Sequence, residues 1–363
     1  MTRPRSDRRL RRALAVSAAV LLVGVIGVLL ISSEIRYLLR AAYEEVRILS
    51  KRRSLDALIA DPRTPPERRE LFQLVLDARA FAAESLGLKA GDTYTTFSDV
   101  GRDTLLLVIS ASPKTALIPY EWRYPIVGVV PYKGFFKANA ALETADHLEA
   151  EGLDTYVRPA GAFSTLGWFN DPLLSTALYR DSVDLVATVF HEMAHNTLYV
   201  PSATQFNESW ASFVGYHSAA AFFHSRGDSA STNRALSLWR DELLLAAFYD
   251  VLSAELDSLY SAGLAEQLVL QERDSVFAEA RARLVDSIGP SFECYNAEFL
   301  ARRPLNNASI IAARIYRRRL SVFETVLTYF HGEIAASIAA ITDAIRNNPG
   351  VEPYQVVRGL VSE

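Results

Sequence analysis

The chain has 363 residues, half of them hydrophobic and 22% charged, with a formal net charge of −4. That suits one large domain or two smaller ones, and with no basic surplus to neutralise phosphates it excludes a nucleic-acid binder. The single cysteine, Cys294, excludes an internal disulfide and a cysteine-built zinc site, and leaves the compartment open.

Residues 1–12 form a basic tail, with Arg3, Arg5, Arg8, Arg9, Arg11 and Arg12 against one acid, Asp7. Residues 13–31 then run without a charge, long enough to cross most of a bilayer as a helix. The positive flank is expected to stay in the cytoplasm, which makes the chain a single-pass protein of the inner membrane with its main part on the periplasmic side. A cleaved signal segment is the alternative, although 30–33 meets the small-x-small cleavage pattern poorly.

Residues 34–59 read as one helix, with Ile35, Leu38, Ala42, Val46 and Leu49 at helical spacing. The proline-rich stretch 61–66 breaks it, and helical periodicity resumes over 67–86. Between 103 and 158 the character changes. Strands are expected at 105–109 and 125–132, a helix at 136–151 and a short strand at 154–157. From 181 onward the pattern is almost wholly helical, with an antiparallel hairpin of 233–262 and 264–287 around Gly263 and further helices at 307–330 and 333–346. The expected organisation is a helical segment 34–100, a small α+β unit 101–180, two helices carrying the chemistry over 181–230, and a C-terminal helical region 231–363. The fold class is α+β, mainly α-helical.

The chemistry concentrates at His191-Glu192-Met193-Ala194-His195. Residues four apart on a helix project from nearly one face, so both imidazoles can reach one metal ion. Glu192 stands one residue round, where it can reach a metal-bound water without being a ligand. A chance match to this pattern is expected on the order of a few times per thousand such sequences, so a third ligand decides the matter. Glu208 supplies it, in the first turn of a second helix expected to start near Thr204 or Asn207. Ala211 and Gly215 share its face and would let the two helices approach closely. The bland reading of Glu208 is a carboxylate favoured by the helix dipole. His217 lies nine residues after Glu208, on the opposite face; it and His224 read as polar-face or packing histidines, and His147 and His331 stand alone.

The sequence resembles a bacterial family of predicted aminopeptidases, zincin-like proteins of the cell envelope. The resemblance rests on YPIVGVVPYKGFF at 124–136, FSTLGWFNDPLLST at 163–176, PLNNA at 304–308, and the block of 191–195 followed by FNESWA at 206–211. It implies one zinc ion on His191, His195 and Glu208, Glu192 as the catalytic base, and a peptide substrate. Two departures stand out. No cysteine follows residue 31 closely to carry a lipid, and no Gly-x-Met-Glu-Asn element is present to grip a free amine. Residues 164–171 are read as a loop lining the cleft, Asn306 and Asn307 as a helix cap, and Tyr316 as a candidate oxyanion donor. The contrasting reading is a non-catalytic, membrane-anchored helical scaffold or interaction protein, with or without a structural zinc, whose working surface is the 233–287 hairpin.

Overall fold

The computed structural model describes residues 33–124, 128–160, 172–178 and 181–361, together with 13–17, 20, 21, 24 and 27. The basic tail 1–12, most of the apolar segment 13–31, the loop 164–171 and the first three residues of the strand expected at 125–132 lie outside the described residues. Among the described residues no helix is long and apolar enough to cross a membrane.

The single helix expected over 34–59 is interrupted. One helix spans Ser33–Ser50, a two-residue strand follows at Arg53–Ser54, and a second helix spans Leu55–Ala60. Ser54 causes the break: it pairs with Thr96 in a sheet, and its hydroxyl accepts the Ala57 N–H as the cap of the next helix. The face of Ser33–Ser50 that points inward is also not the expected one. Val46 is exposed, whereas Glu44 is fully buried among Arg40, Arg47 and Arg102, so charge pairing overrides the apolar stripe. The helix Pro66–Ser85 opens on a proline whose fixed φ suits a first turn, and buries Phe72, Val75, Ala78 and Ala82.

The strand-containing unit is built on a three-stranded antiparallel sheet. Leu106–Pro113 is central, with Lys133–Phe135 on one side and Leu153–Ala160 on the other. Both long strands extend beyond the expected 105–109 and 154–157. Within the strand expected at 125–132, Gly128–Val130 is a strand and pairs antiparallel with Trp122–Tyr124. The helix Ala138–Ala150 covers one face of the main sheet through Ala141, Ala145 and Leu148. A second small sheet joins Arg53–Ser54, Thr96–Ser98 and Leu173–Leu174, so the expected helical segment 34–100 also contributes strands.

The remainder is helical: Ser182–Thr197, Thr204–Ser225, Ser229–Tyr260, Glu266–Ala282, Asn307–Arg314, Leu320–Tyr329, Ile334–Asn347 and Pro353–Gly359 are its main elements. The hairpin expected around Gly263 is present, that glycine having a φ of +69° that L side chains rarely adopt. Its second arm continues through a π-helical turn, Arg283–Ile288. The helix expected over 307–330 is two helices, because Arg319 takes a left-handed φ of 51° between them.

Two buried carboxylates join the parts. Asp241 accepts the N–H groups of Glu293, Cys294 and Tyr295 at 2.9, 2.8 and 2.8 Å, fixing the segment after the π turn against the long helix. Asp154 pairs with Arg273 and accepts the Asn307 N–H at 3.0 Å, joining sheet, hairpin and the start of Asn307–Arg314. Asn306 caps that helix reciprocally with Ser309, as expected. The chain is thus mainly helical with small sheets, and its largest core surrounds the helices Ser182–Thr197 and Thr204–Ser225.

Candidate metal centre

The helix Ser182–Thr197 begins where the Asp181 side chain accepts the Asp184 N–H at 2.9 Å. Arg234 of the long helix pairs with the same Asp181 carboxylate. Leu185, Val186, Val189, Phe190, Met193 and Ala194 are buried, which leaves His191, Glu192 and His195 together on the less buried face. The helix stops at Thr197, short of Pro201, and Arg346 donates to the Thr197 carbonyl at 2.8 Å.

A short turn leads to Thr204–Ser225. Asn207 is fully buried and clasps that turn with both ends of its amide: Oδ1 accepts the Val200 N–H at 2.9 Å and Nδ2 donates to the Val200 carbonyl at 2.8 Å. The residue before Glu208 therefore fixes where the second helix starts, and with it the carboxylate's approach. Farther along, a Cβ at Gly215 would lie 2.8 Å from the Ala187 carbonyl oxygen and 3.5 Å from the His191 Cβ. Only a glycine lets the helices meet this closely. Gly215→Ala is expected to force them apart and to cost about 1–3 kcal/mol of stability, read as a lower denaturant midpoint with unchanged slope. A variant as stable as wild type would contradict the close approach.

These constraints bring the three expected ligands together. The His191 and His195 Nε2 atoms lie 3.2 Å apart, and a Glu208 carboxylate oxygen lies 3.3 Å from the first and 3.7 Å from the second. The donor set fits a metal. Tetrahedral zinc with bonds of roughly 2.0–2.1 Å has ligand–ligand edges of about 3.4 Å, and three protein ligands leave one position open. His191, His195 and Glu208 are also a set of potential ligand atoms within 4.8 Å of one another. Two imidazole nitrogens at contact distance with no cation between them would otherwise need a shared proton. Burial works to raise the Glu208 carboxyl, but hydrogen bonds and charge from His191 and His195 outweigh it and hold it down at about 2. For His195, burial opposes the charged form and is outweighed by Glu208, so its pKa is raised. The His195 Nδ1 atom is buried and has no hydrogen-bond partner among the described residues.

Glu192 is partly exposed beside the two histidines and close enough for its charge to act on His195. Tyr316 does not lie on a helix, since Asn307–Arg314 ends before it. The segment that carries it is held to the helix Thr204–Ser225 by Ser209, whose hydroxyl donates to the Tyr316 carbonyl at 3.3 Å and accepts the Arg318 N–H at 3.2 Å. Burial, and next the charge of Glu208, push the Tyr316 phenol up to about 12. Two neighbours escaped the sequence reading. Tyr132 also lies within the field of Glu208, its phenol raised by burial and then by that carboxylate. The Arg158 guanidinium stands 6.0 Å from the centre of the Tyr316 ring. Both come from the strand-containing unit, far from the motif in sequence; Tyr132 lies inside the 124–136 block, but no spacing sets either residue beside the motif.

The other histidines stay outside. His217 is buried, 3.2 Å from a Glu324 oxygen that also accepts the Trp239 indole N–H at 2.7 Å. His224 and His331 are exposed, and His147 pairs with Glu151 on the surface.

The family described as "Putative aminopeptidase" matches residues 36–350, most of the chain. No curated protein and no solved structure matches it.

Proposed function

The chain belongs to the putative aminopeptidase family, and from that premise we propose that it is a zinc-dependent peptide hydrolase of the zincin kind. In this reading His191, His195 and Glu208 hold one zinc ion and Glu192 is the general base. The observation that carries it is the convergence of three potential ligand atoms at 3.2, 3.3 and 3.7 Å beside the Glu192 carboxylate on the helix of the two histidines.

Bound zinc would supply Lewis acidity to the scissile carbonyl and a lower pKa to the attacking water. Glu192 accepts the proton of that water as its oxygen joins the carbonyl carbon. The same carboxyl then gives the proton to the amine nitrogen as the C–N bond breaks, so the products are a carboxylic acid and a free amine. A phenol kept protonated can donate to the oxygen on which charge develops, and Tyr316 is the candidate donor. Tyr316→Phe is expected to lower kcat by about 10²-fold or more with little change in KM or metal content. An unchanged kcat would remove Tyr316 from the reaction.

Removal of residues from the amino end of peptides is the activity the family's name states, and we extend it to this chain. Incubating the zinc-loaded full chain with a mixed peptide library, and reading the fragments by mass spectrometry, tests this directly. Single residues lost from amino termini are expected. Internal fragments alone would make the protein an endopeptidase, and an untouched library would end the peptidase reading.

We further propose that residues 13–31 anchor the protein in the inner membrane, with the basic tail cytoplasmic and the zinc site on the other side. The uncharged run behind six arginines supports this. So does the exposure of Leu14, Val16, Val20 and Leu21 among the described residues.

A further inference from the structure

A cavity of about 450 Å³ lies between the sheet strand Leu153–Ala160, the long helix Ser229–Tyr260 and the segment after the π turn. Tyr316 forms part of its wall, and its carbonyl accepts the hydroxyl of Ser209, the residue after Glu208, at 3.3 Å. Its apolar surface comes from residues such as Leu245, Phe248 and Leu284. Its charge comes from four arginines, Arg158, Arg281, Arg303 and Arg317, and no aspartate or glutamate lines it.

Those arginines are not all neutralised. Arg317 is matched by Glu242, with the closest approach 2.6 Å. Arg281 donates to the carbonyls of Ala301 and Arg303, which carry no net charge. Arg158 meets Tyr316. Among the described residues, none of Arg158, Arg281 and Arg303 has a carboxylate within ion-pair distance. A concave site that gathers three unmatched guanidiniums around apolar walls is suited to an anion with an organic body. The contrast with another cavity, of about 720 Å³, is informative: its wall offsets Arg319 with Asp250 and Glu324.

We propose that the arginine-lined cavity beside Tyr316 is a substrate subsite that takes a carboxylate of the peptide. That group is either an acidic side chain or the free C-terminal carboxylate of a short peptide, since guanidinium recognition is the same for both. The proposal rests on the peptide-hydrolase reading for its meaning, yet the subsite can be tested by binding alone. Arg158 borders both the cavity and Tyr316, and the Tyr316 carbonyl is tied to Ser209, the residue after Glu208, which connects the cavity to the candidate metal centre.

The test uses the full chain in detergent and tetrapeptides in three matched forms, each with a free amino terminus and an uncharged BODIPY dye on an acylated lysine side chain. One has a glutamate and an amidated C-terminus, one has glutamine in its place and the same amide, and one has glutamine and a free C-terminus. Affinity by fluorescence anisotropy is expected to be at least tenfold higher for one of the two carboxylate-bearing forms than for the neutral form. Which form it is distinguishes an acidic side chain from a chain terminus. Arg303→Gln, at an exposed position, and Arg158→Gln are each expected to cut that ratio at least threefold. Arg302→Gln, at an exposed position outside the cavity, is expected to leave it unchanged. Equal affinity for all three forms, or a ratio indifferent to Arg303→Gln and Arg158→Gln, would overturn the subsite. Hydrolysis of the same peptides is scored separately. Carboxylate-dependent binding without cleavage sinks the peptidase reading and keeps the subsite, whereas cleavage indifferent to the carboxylate does the reverse.

Discussion

Glu192→Gln is expected to retain a full complement of metal and to lose about a thousandfold in kcat. The amide keeps the size of the carboxylate but cannot take a proton from water, and general acid–base assistance contributes roughly 10²–10⁴-fold. The substitution should disturb little else. Glu192 is partly exposed, and among the described residues it makes no hydrogen bond or ion pair, so no buried partner is left unsatisfied. Single-turnover kinetics beside metal analysis would separate the two effects. A Gln variant as fast as wild type, with metal still bound, would move the metal from a catalytic to a structural role. The scaffold reading would then be the better account.

Glu208→Ala is expected to abolish turnover by a different route, through loss of the metal. Structural sites with four protein ligands hold zinc by roughly 10–16 kcal/mol, or about 3 kcal/mol per ligand, so removing one of three should weaken binding at least a hundredfold. The fold should survive. The Glu208 side chain is still about a fifth exposed (22%), whereas Asn207 beside it carries the bonds that shape the turn. Competition against a chromophoric zinc chelator would give the affinity, and circular dichroism would confirm the helices. Unchanged affinity would mean that Glu208 is only a first-turn carboxylate and that another group completes the site.

The convergence of His191, His195 and Glu208 was legible because each position rests on local helix periodicity. Two histidines four apart need one helix, and Glu208 followed by Ala211 and Gly215 announces a second helix that can come close. Gly215 shows this most directly, since a side chain there would meet the Ala187 carbonyl. The surroundings were less legible. Tyr132 and Arg158 reach the site by the way the strand-containing unit packs, which no spacing within the motif encodes. Asn207 stood inside a recognised block, yet its grip on Val200 depends on the shape of the turn. Periodicity misled where a residue did something rare for its type. Arg319 adopts a left-handed conformation and ends what reads as one helix, and Glu44 is buried on what reads as the solvent face.

The proposed hydrolase requires one metal ion on His191, His195 and Glu208. It is tested most directly by stripping the purified full chain with a chelator and titrating zinc back by calorimetry while following peptide hydrolysis. The account predicts saturation at about one zinc per chain, with activity returning in step with occupancy. Folded protein that takes up no zinc would contradict it.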